Sequence, residues 1–349
     1  HSMELKLVGN LLCNQCHVST TYDNKSHHFH EENTEAAQCI NCHMTGRYYM
    51  GNDFRRDHSF RIPRPDQSMH ADTPNACNEC HDDQSEKWAA DWIVKWYGDE
   101  RQPHFSDYLI LSYKENMSAD ERKSLDHFIN DLNYPYIARS TVITNLAYTN
   151  SEQVAVLLEA LKDSSATIRY QALLQFRMMT PQDRNSVARK HINDTTKLVR
   201  IGAAQLLLDF DGTGWTEAEK VSLNQAKSEL ETMLFSNADF STGRLQMGDY
   251  FMQTNDVKAA IKHYEVALEK DSLLYPVYSN LATAYSIDGQ TDRAFETLNS
   301  WIDYEPNAGR PYYLRALLNF ESGSPEIAVQ DLKMAIELNP EDLRSMYNL

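Results

Sequence analysis

All six cysteines of this 349-residue chain fall in three copies of one pattern: Cys13-Asn14-Gln15-Cys16-His17, Cys39-Ile40-Asn41-Cys42-His43 and Cys77-Asn78-Glu79-Cys80-His81. Two thiols three positions apart, followed at once by an imidazole, form the C-x-x-C-H attachment signature of haem c. The sulfurs bond the porphyrin vinyl groups and the histidine takes an axial position on the iron. Three copies imply three covalent haems c, with Cys13, Cys16, Cys39, Cys42, Cys77 and Cys80 as thioether donors and His17, His43 and His81 as proximal iron ligands.

Other readings of the cysteines explain fewer residues. A zinc site built from Cys13, Cys16, Cys39 and Cys42 strands Cys77 and Cys80 and gives the three histidines no role. A disulfide framework needs no histidine, and a redox dithiol needs only one motif.

Residues 1 to 105 are too poor in aliphatic side chains to fold on their own. From His1 to Glu86 the Leu, Ile and Val residues are Leu5, Leu7, Val8, Leu11, Leu12, Val18, Ile40 and Ile62, too few to offset the ordering entropy of that length. The haems are expected to be the core, as in small domains held by a covalent or metal staple. Each iron of a pure electron carrier needs a sixth ligand, and the candidates are His1, His27, His28, His30, His58 and His70, with His104 also in the segment. Met44, Met50 and Met69 are the thioether alternatives. Arg55, Arg56, Arg61 and Arg64 cluster around His58, and their guanidinium forks match haem propionates; a solvated basic patch is the alternative. Pro63, Pro65 and Pro74 point to irregular backbone. Trp88, Trp92 and Trp96 then recur every four residues on one helical face, between Ser85 as N-cap and Gly98 as stop. This stripe is expected to form a seam between the last haem and the following domain.

These stretches resemble one family. Asn10-Leu11-Leu12-Cys13, the cluster from His27 to His30, Cys42-His43-Met44, the run from Arg55 to Asp66, Thr73-Pro74-Asn75-Ala76-Cys77 and Trp88-Ala89-Ala90 are similar to large bacterial multihaem c-type cytochromes related to cytochrome c554, whose haem region precedes tetratricopeptide repeats. The resemblance implies that His1-Ser2 follows a further C-x-x-C-H motif upstream, and that His1 serves an iron not its own, such as that on Cys13 and Cys16. It implies more haems in an N-terminal region that precedes these residues.

Beyond the haem segment the pattern turns helical. Ser118-Ala119-Asp120-Glu121 reads as a capping box leading into Leu125, Phe128, Ile129 and Leu132. Arg139, Arg169 and Arg200 recur at intervals of 30 and 31, the last two in matched frames with Asp163 and Asp194, which resembles HEAT-like repeats tied by aspartate and arginine. Ala260, Ala294 and Ala328 are spaced by 34, as are Ser272, Pro306 and Pro340, the tetratricopeptide interval. Three such units are expected, with Leu343 to Leu349 opening a fourth or a cap. His127, His191 and His263 lie in helical patterns and are expected to pack rather than ligate.

The expected fold is therefore mainly α: an irregular haem-packed cytochrome domain (1–105), then an α-solenoid of HEAT-like (106–236) and tetratricopeptide (237–349) repeats. A net charge of −17 disfavours nucleic acid and anionic membrane surfaces and suits redox proteins with basic patches. No stretch approaches 18 consecutive apolar residues. His1-Ser2-Met3-Glu4 lacks the features of a secretory leader. Haem is attached to C-x-x-C-H outside the bacterial cytoplasm, so the expectation is a piece of a longer periplasmic or extracellular precursor. The expected function is electron transfer through three closely spaced haems, with the solenoid docking a redox partner or sister subunits. Two alternatives stay open: part of an oxidoreductase acting on a small nitrogen or sulfur compound, and a subunit of an extracellular conducting filament.

Overall fold

The computed structural model describes residues 7–148 and 150–349; His1 lies outside them. The protein is mainly helical and divides into two compact units, residues 1–117 and 118–349.

The first unit is a series of short helices. Each C-x-x-C-H motif starts on or inside one: Asn10–Cys13, Cys39–His43 and Ala76–Cys80. Polar side chains fix these turns. Asn75 caps the third, accepting from the backbone N–H groups of Cys77 and Asn78. Asn10 ties the first to the second by donating to the Ala37 carbonyl while its oxygen accepts from Cys39 N–H. After the second motif comes an antiparallel hairpin of Gly46–Tyr49 and Asp53–Arg56, with Gly46 opposite Arg56. Its turn holds Met50 and Gly51 at positive φ. The helix Glu86–Tyr97 is capped by Ser85, whose hydroxyl accepts from Trp88 N–H, and stops at Gly98, φ 87°.

The helix Phe105–Ser112, assigned from sequence to the helical segment, falls in the first unit. Arg64 bonds both Asp66 and Asp107, and Gln67 donates to Ser106 and Asp107, so this helix is fastened to the prolines' loop.

The first unit lacks a conventional core. Among its described residues the buried apolar side chains are Ala37, Pro65, Ala76, Ala89, Ala90 and Ile93, while Val8, Leu11, Val18, Phe60 and Ile62 are each more than half exposed.

The second unit is a helical solenoid with a continuous apolar interior. Its first part stacks Tyr136–Asn145, Ala166–Gln175, Lys197–Leu206 and Glu217–Ser236 side by side. The expected capping box is present on Ala119–Asn130, which buries Leu125, Phe128 and Ile129; each such side chain contributes about 1.5–3 kcal/mol. An arginine ladder ties the helices. Arg139 reaches Asp163 at 2.7 Å, with both side chains 4% exposed. Arg169 forks onto Asp194 and Arg200 onto Glu229. Arg169 also donates to the Asp163 carbonyl and Arg200 to the Asp194 carbonyl, the same device one repeat on.

From Ser241 the helix starts recur every 34 residues: Ser241, Tyr275, Gly309 and Leu343, interleaved with Val257, Thr291 and Pro325. These are tetratricopeptide-like helix pairs. Ala260, Ala294 and Ala328 are buried where the helices of a pair meet. Gly248 has a further reason: a Cβ there would lie 2.2 Å from the Tyr264 ring. The next pairs carry Ala282 with Leu298, and Ala316 with Leu332, in their cores. No helix among the described residues is long and apolar enough to cross a membrane.

Candidate functional site

Helical spacing places the two cysteines of each motif on one face of a single turn. The six thiols are free of disulfides, Cys16 and Cys80 exposed and the others half-buried. Burial, then the nearby Cys77 and Cys80, push the Cys42 thiol up to about 11. Burial also raises Cys77, and burial with the neighbouring Cys13 raises Cys39. Redox-active C-x-x-C pairs shift the opposite way, toward thiolate. A zinc site requires four ligands in one coordination sphere; among the described residues no three His, Cys, Asp or Glu side chains converge to hold a metal ion.

The histidines are brought together in a specific way. His27 and His43 stand with ring centroids 6.2 Å apart and planes inclined by 14°. His30 and His81 stand 6.3 Å apart at 29°. Two residues three positions apart thus face the histidines of two different motifs. His17 lies edge-on to Tyr22 at 5.7 Å, and Tyr22 in turn to His27 at 5.4 Å. Burial, then the adjacent His43, hold His27 below its ordinary 6.5, which favours the neutral imidazole that can ligate a metal.

Hydrogen bonds at Nδ1 set His28 apart from His30, His43 and His58. A ligating histidine donates its other ring N–H, commonly to a carbonyl, leaving the Nε2 lone pair for the metal. His43 pairs through Nδ1 with the Arg61 carbonyl, His58 with that of Arg56, and His30 with that of His28. His28 is the reverse: its Nδ1 accepts from the His30 backbone N–H. The neutral ring must then carry its proton on Nε2, a buried atom without a partner, and His28 is unsuited to ligation in this arrangement. His70 is exposed on helix Pro65–Ala71, and His104 caps helix Phe105–Ser112. Met50 sits at the hairpin turn, 83% exposed. Met69 is exposed, and the Met44 carbonyl accepts from Arg56.

The four arginines all have protein partners. Arg56 donates to the carbonyls of Ile40 and Met44 and to Asn41, closing the C-terminal end of the second motif's helix. Arg64 is held by Asp66 and Asp107, Arg55 by Asp53 and Arg61 by Asp57. Charge pattern alone cannot distinguish these carboxylates from propionates.

Sequence reasoning did not identify the residues that hold the His27–His30 stretch. Phe29, at φ 57°, stacks on Trp96 with centroids 4.4 Å apart and planes 1° apart. The Tyr97 hydroxyl donates to the His27 carbonyl. The stripe continues through Trp92 and Trp88 to His81, whose ring is 4.9 Å from Trp88. The seam expected toward the following domain thus has partners inside the first unit. The four-residue stripe was the available signal, but its partner 67 residues upstream was not visible in it.

In the second unit a depression of about 250 Å³ is lined by Asp249, Met252, Gln253, Tyr264, Asn280 and Thr283. Asp249 accepts from Tyr264 and Asn280 across it. His263 packs on Phe251 within helix Val257–Lys270, as expected; His191 lies in the turn after helix Pro181–Ala188, where its ring bonds the Val187 carbonyl, and His127 is exposed.

No family model and no curated protein matches the chain. Among solved structures it is similar to YrrB, described as a TPR protein with an unusual peptide-binding site (13% identity, 55% of this chain and 96% of that one, TM-score 0.34). It is also similar to MamA (15% identity, 47% and 92%, TM-score 0.33) and to the APC/C hetero-tetramer Cut9-Hcn1 (13% identity, 76% and 65%, TM-score 0.30). The tetratricopeptide-like assignment rests on the chain's own 34-residue helix interval, and such solenoids present surfaces suited to protein partners.

Proposed function

We propose that the first unit carries three haems c and passes electrons through them, while the solenoid docks a protein partner. The observation that carries this reading is the spacing of the histidine pairs. Two imidazoles on opposite faces of one iron, with metal–nitrogen bonds of about 2 Å and about 1.1 Å from nitrogen to ring centre, have centroids roughly 6.3 Å apart. His27 with His43 and His30 with His81 stand at 6.2 and 6.3 Å. Cys39 and Cys42 would then hold the haem of the first pair, and Cys77 and Cys80 that of the second. Cys13, Cys16 and His17 would hold the third, with His1 as its proposed distal ligand.

Further support comes from the packing. A unit whose buried apolar side chains are four alanines, an isoleucine and a proline fits a core made of large flat cofactors. A haem with histidine on both faces supplies one-electron transfer without changing ligands. Arg55 and Arg61, more than half exposed in surface ion pairs worth about 0–1 kcal/mol, can exchange aspartate for a propionate; Arg56 and Arg64 stay with their protein partners. The motif spacing, 22 residues between Cys16 and Cys39 and 34 between Cys42 and Cys77, keeps the three sites close. The proposed setting is the periplasm or cell exterior, and the proposed partners are basic redox proteins, sister subunits or an upstream haem domain.

The test is a pyridine haemochrome count on the full chain, with absorption and EPR spectra of the oxidised protein. Three haems per chain, low-spin where histidine pairs are assigned, is the expected result. A chain matured in a haem-c-competent host that carries none overturns it, and a high-spin iron that binds cyanide or nitrite moves the reading to catalysis.

A further inference from the structure

Residues 25 to 30 do more than contribute two candidate ligands. Lys25–His28 is a single helical turn capped by Asn24, and Phe29 ends it in the left-handed region at φ 57°, a conformation that is a genuine outlier for a bulky side chain. That kink turns the chain so that His27 faces His43 and His30 faces His81. His28 and His30 lock each other: the His28 ring accepts from the His30 backbone N–H, and the His28 carbonyl pairs with His30 Nδ1.

The same stretch is held from outside by one helix. Trp96 lies flat on Phe29, Tyr97 packs edge-on to Phe29 at 5.8 Å and to His27 at 6.3 Å, and the Tyr97 hydroxyl donates to the His27 carbonyl. His30 sits edge-on to Trp96 at 6.4 Å. All four residues from His27 to His30 are half-buried. The left-handed backbone of Phe29 is a strained position, and the rings packed on it are those of Trp96 and Tyr97.

We infer that His27-His28-Phe29-His30 is one ligand clip serving two irons, with Phe29, Trp96 and Tyr97 as positioning residues, so that loosening the clip opens both irons together. This rests on the haem reading above. The two distal ligands are only three residues apart on a backbone with one kink and one anchor. Displacing that backbone by an ångström withdraws both rings at once, because both are held against the same helix, His27 by Tyr97 and His30 by Trp96. Ligation at the second and third motifs is therefore coupled, while His17 and the first motif lie outside the clip.

The experiment compares the full chain with Phe29→Ala, and with Phe29→Trp as the conservative rescue that keeps a flat ring for Trp96. Each protein is first counted for haem, then reduced and titrated with carbon monoxide while the Soret band is followed. The expected result is three haems in every protein and a rise of two carbon monoxide molecules per chain in Phe29→Ala, taken up with one common midpoint and largely reversed in Phe29→Trp. A rise of one, or none, overturns the clip while leaving the three-haem reading intact; absence of haem overturns the reading itself. Tyr97→Phe removes a single oxygen and gives a second test should Phe29→Ala fail to fold. Carbon monoxide is expected to bind at least tenfold faster at two irons with equal rates, and a change at one iron only, or no change, overturns the proposal.

Discussion

The two units order their helices by different means. In residues 118–349 each repeat buries its own aliphatic and aromatic side chains, from Leu125 and Phe128 through Tyr264 and Tyr285 to Leu332. In residues 7–117 the buried apolar side chains are Ala37, Pro65, Ala76, Ala89, Ala90 and Ile93, and larger ones such as Val8, Phe60 and Ile62 face outward. Transfer of apolar surface from water drives folding at roughly 25 cal/mol per Å², so the second unit can stabilise itself and the first needs another source of apolar area. The polar side chains differ accordingly. In the solenoid arginines bridge one repeat to the next, whereas in the first unit Asn10, Asn75 and Arg56 fasten one-turn helices that have too little length to hold themselves.

The largest expected effect breaks this contrast directly. Replacing Cys39 and Cys42 together by alanine, or producing the chain without haem attachment, is expected to leave residues 7–117 open to limited proteolysis while the second unit keeps its thermal transition by circular dichroism. Equal protease resistance with and without haem would show that the first unit has a sufficient core of its own. Next in size is Asp163→Ala, which leaves Arg139 charged and buried; loss of one partner of a buried pair costs about 3–5 kcal/mol. Denaturant melts should show this in the second unit alone, with the protease resistance of residues 7–117 unchanged.

A smaller effect concerns one close approach in the repeats. Gly248→Ala places a methyl against the Tyr264 ring and is expected to cost about 1–3 kcal/mol. Adding Tyr264→Leu recreates the alanine–leucine pairing of Ala282 with Leu298 and should recover part of the loss. A double-mutant cycle with no coupling between the two positions would refute the steric account. The smallest effect is electrostatic. Arg189, then the Thr216 cap, hold Glu219 down at about 2 against an ordinary 4.5. Its contribution is present above pH 4.5 and is lost as pH falls through about 2. The second unit's melting temperature should fall by a degree or two more over that interval in wild type than in Arg189→Met.

The parts of the fold legible in the sequence are those set by short-range rules. The Ser118–Glu121 capping box, Ser85 as N-cap and Gly98 as stop are each decided within one helical turn. The 34-residue interval repeats often enough to be read without any contact. The aspartate and arginine interval was legible, but not the pairing: the frames set Asp163 beside Arg169 and Asp194 beside Arg200, whereas the ion pairs join Asp163 to Arg139 and Asp194 to Arg169, one repeat back. The hairpin Gly46–Tyr49 with Asp53–Arg56 was missed, although aromatic residues on both sides of Met50-Gly51 were a usable strand signal. The arginines near His58 were visible as a cluster, but their partners were not, since Asp107 lies 43 residues from Arg64.

By itself the sequence determined the C-x-x-C-H triplets, the shortage of aliphatic residues around them and the helical repeats beyond, because spacing and composition are local quantities. Only the tertiary structure decided that His27 faces His43 and His30 faces His81, that His28 is turned the other way by its own hydrogen bond, and that Phe29 rests on Trp96. In a segment with seven histidines beyond the three motifs, composition offers every imidazole equally. The choice among them depends on ring orientation and on which nitrogen carries the proton, and both are fixed by backbone carbonyls and aromatic faces that the folded chain brings from far along its length.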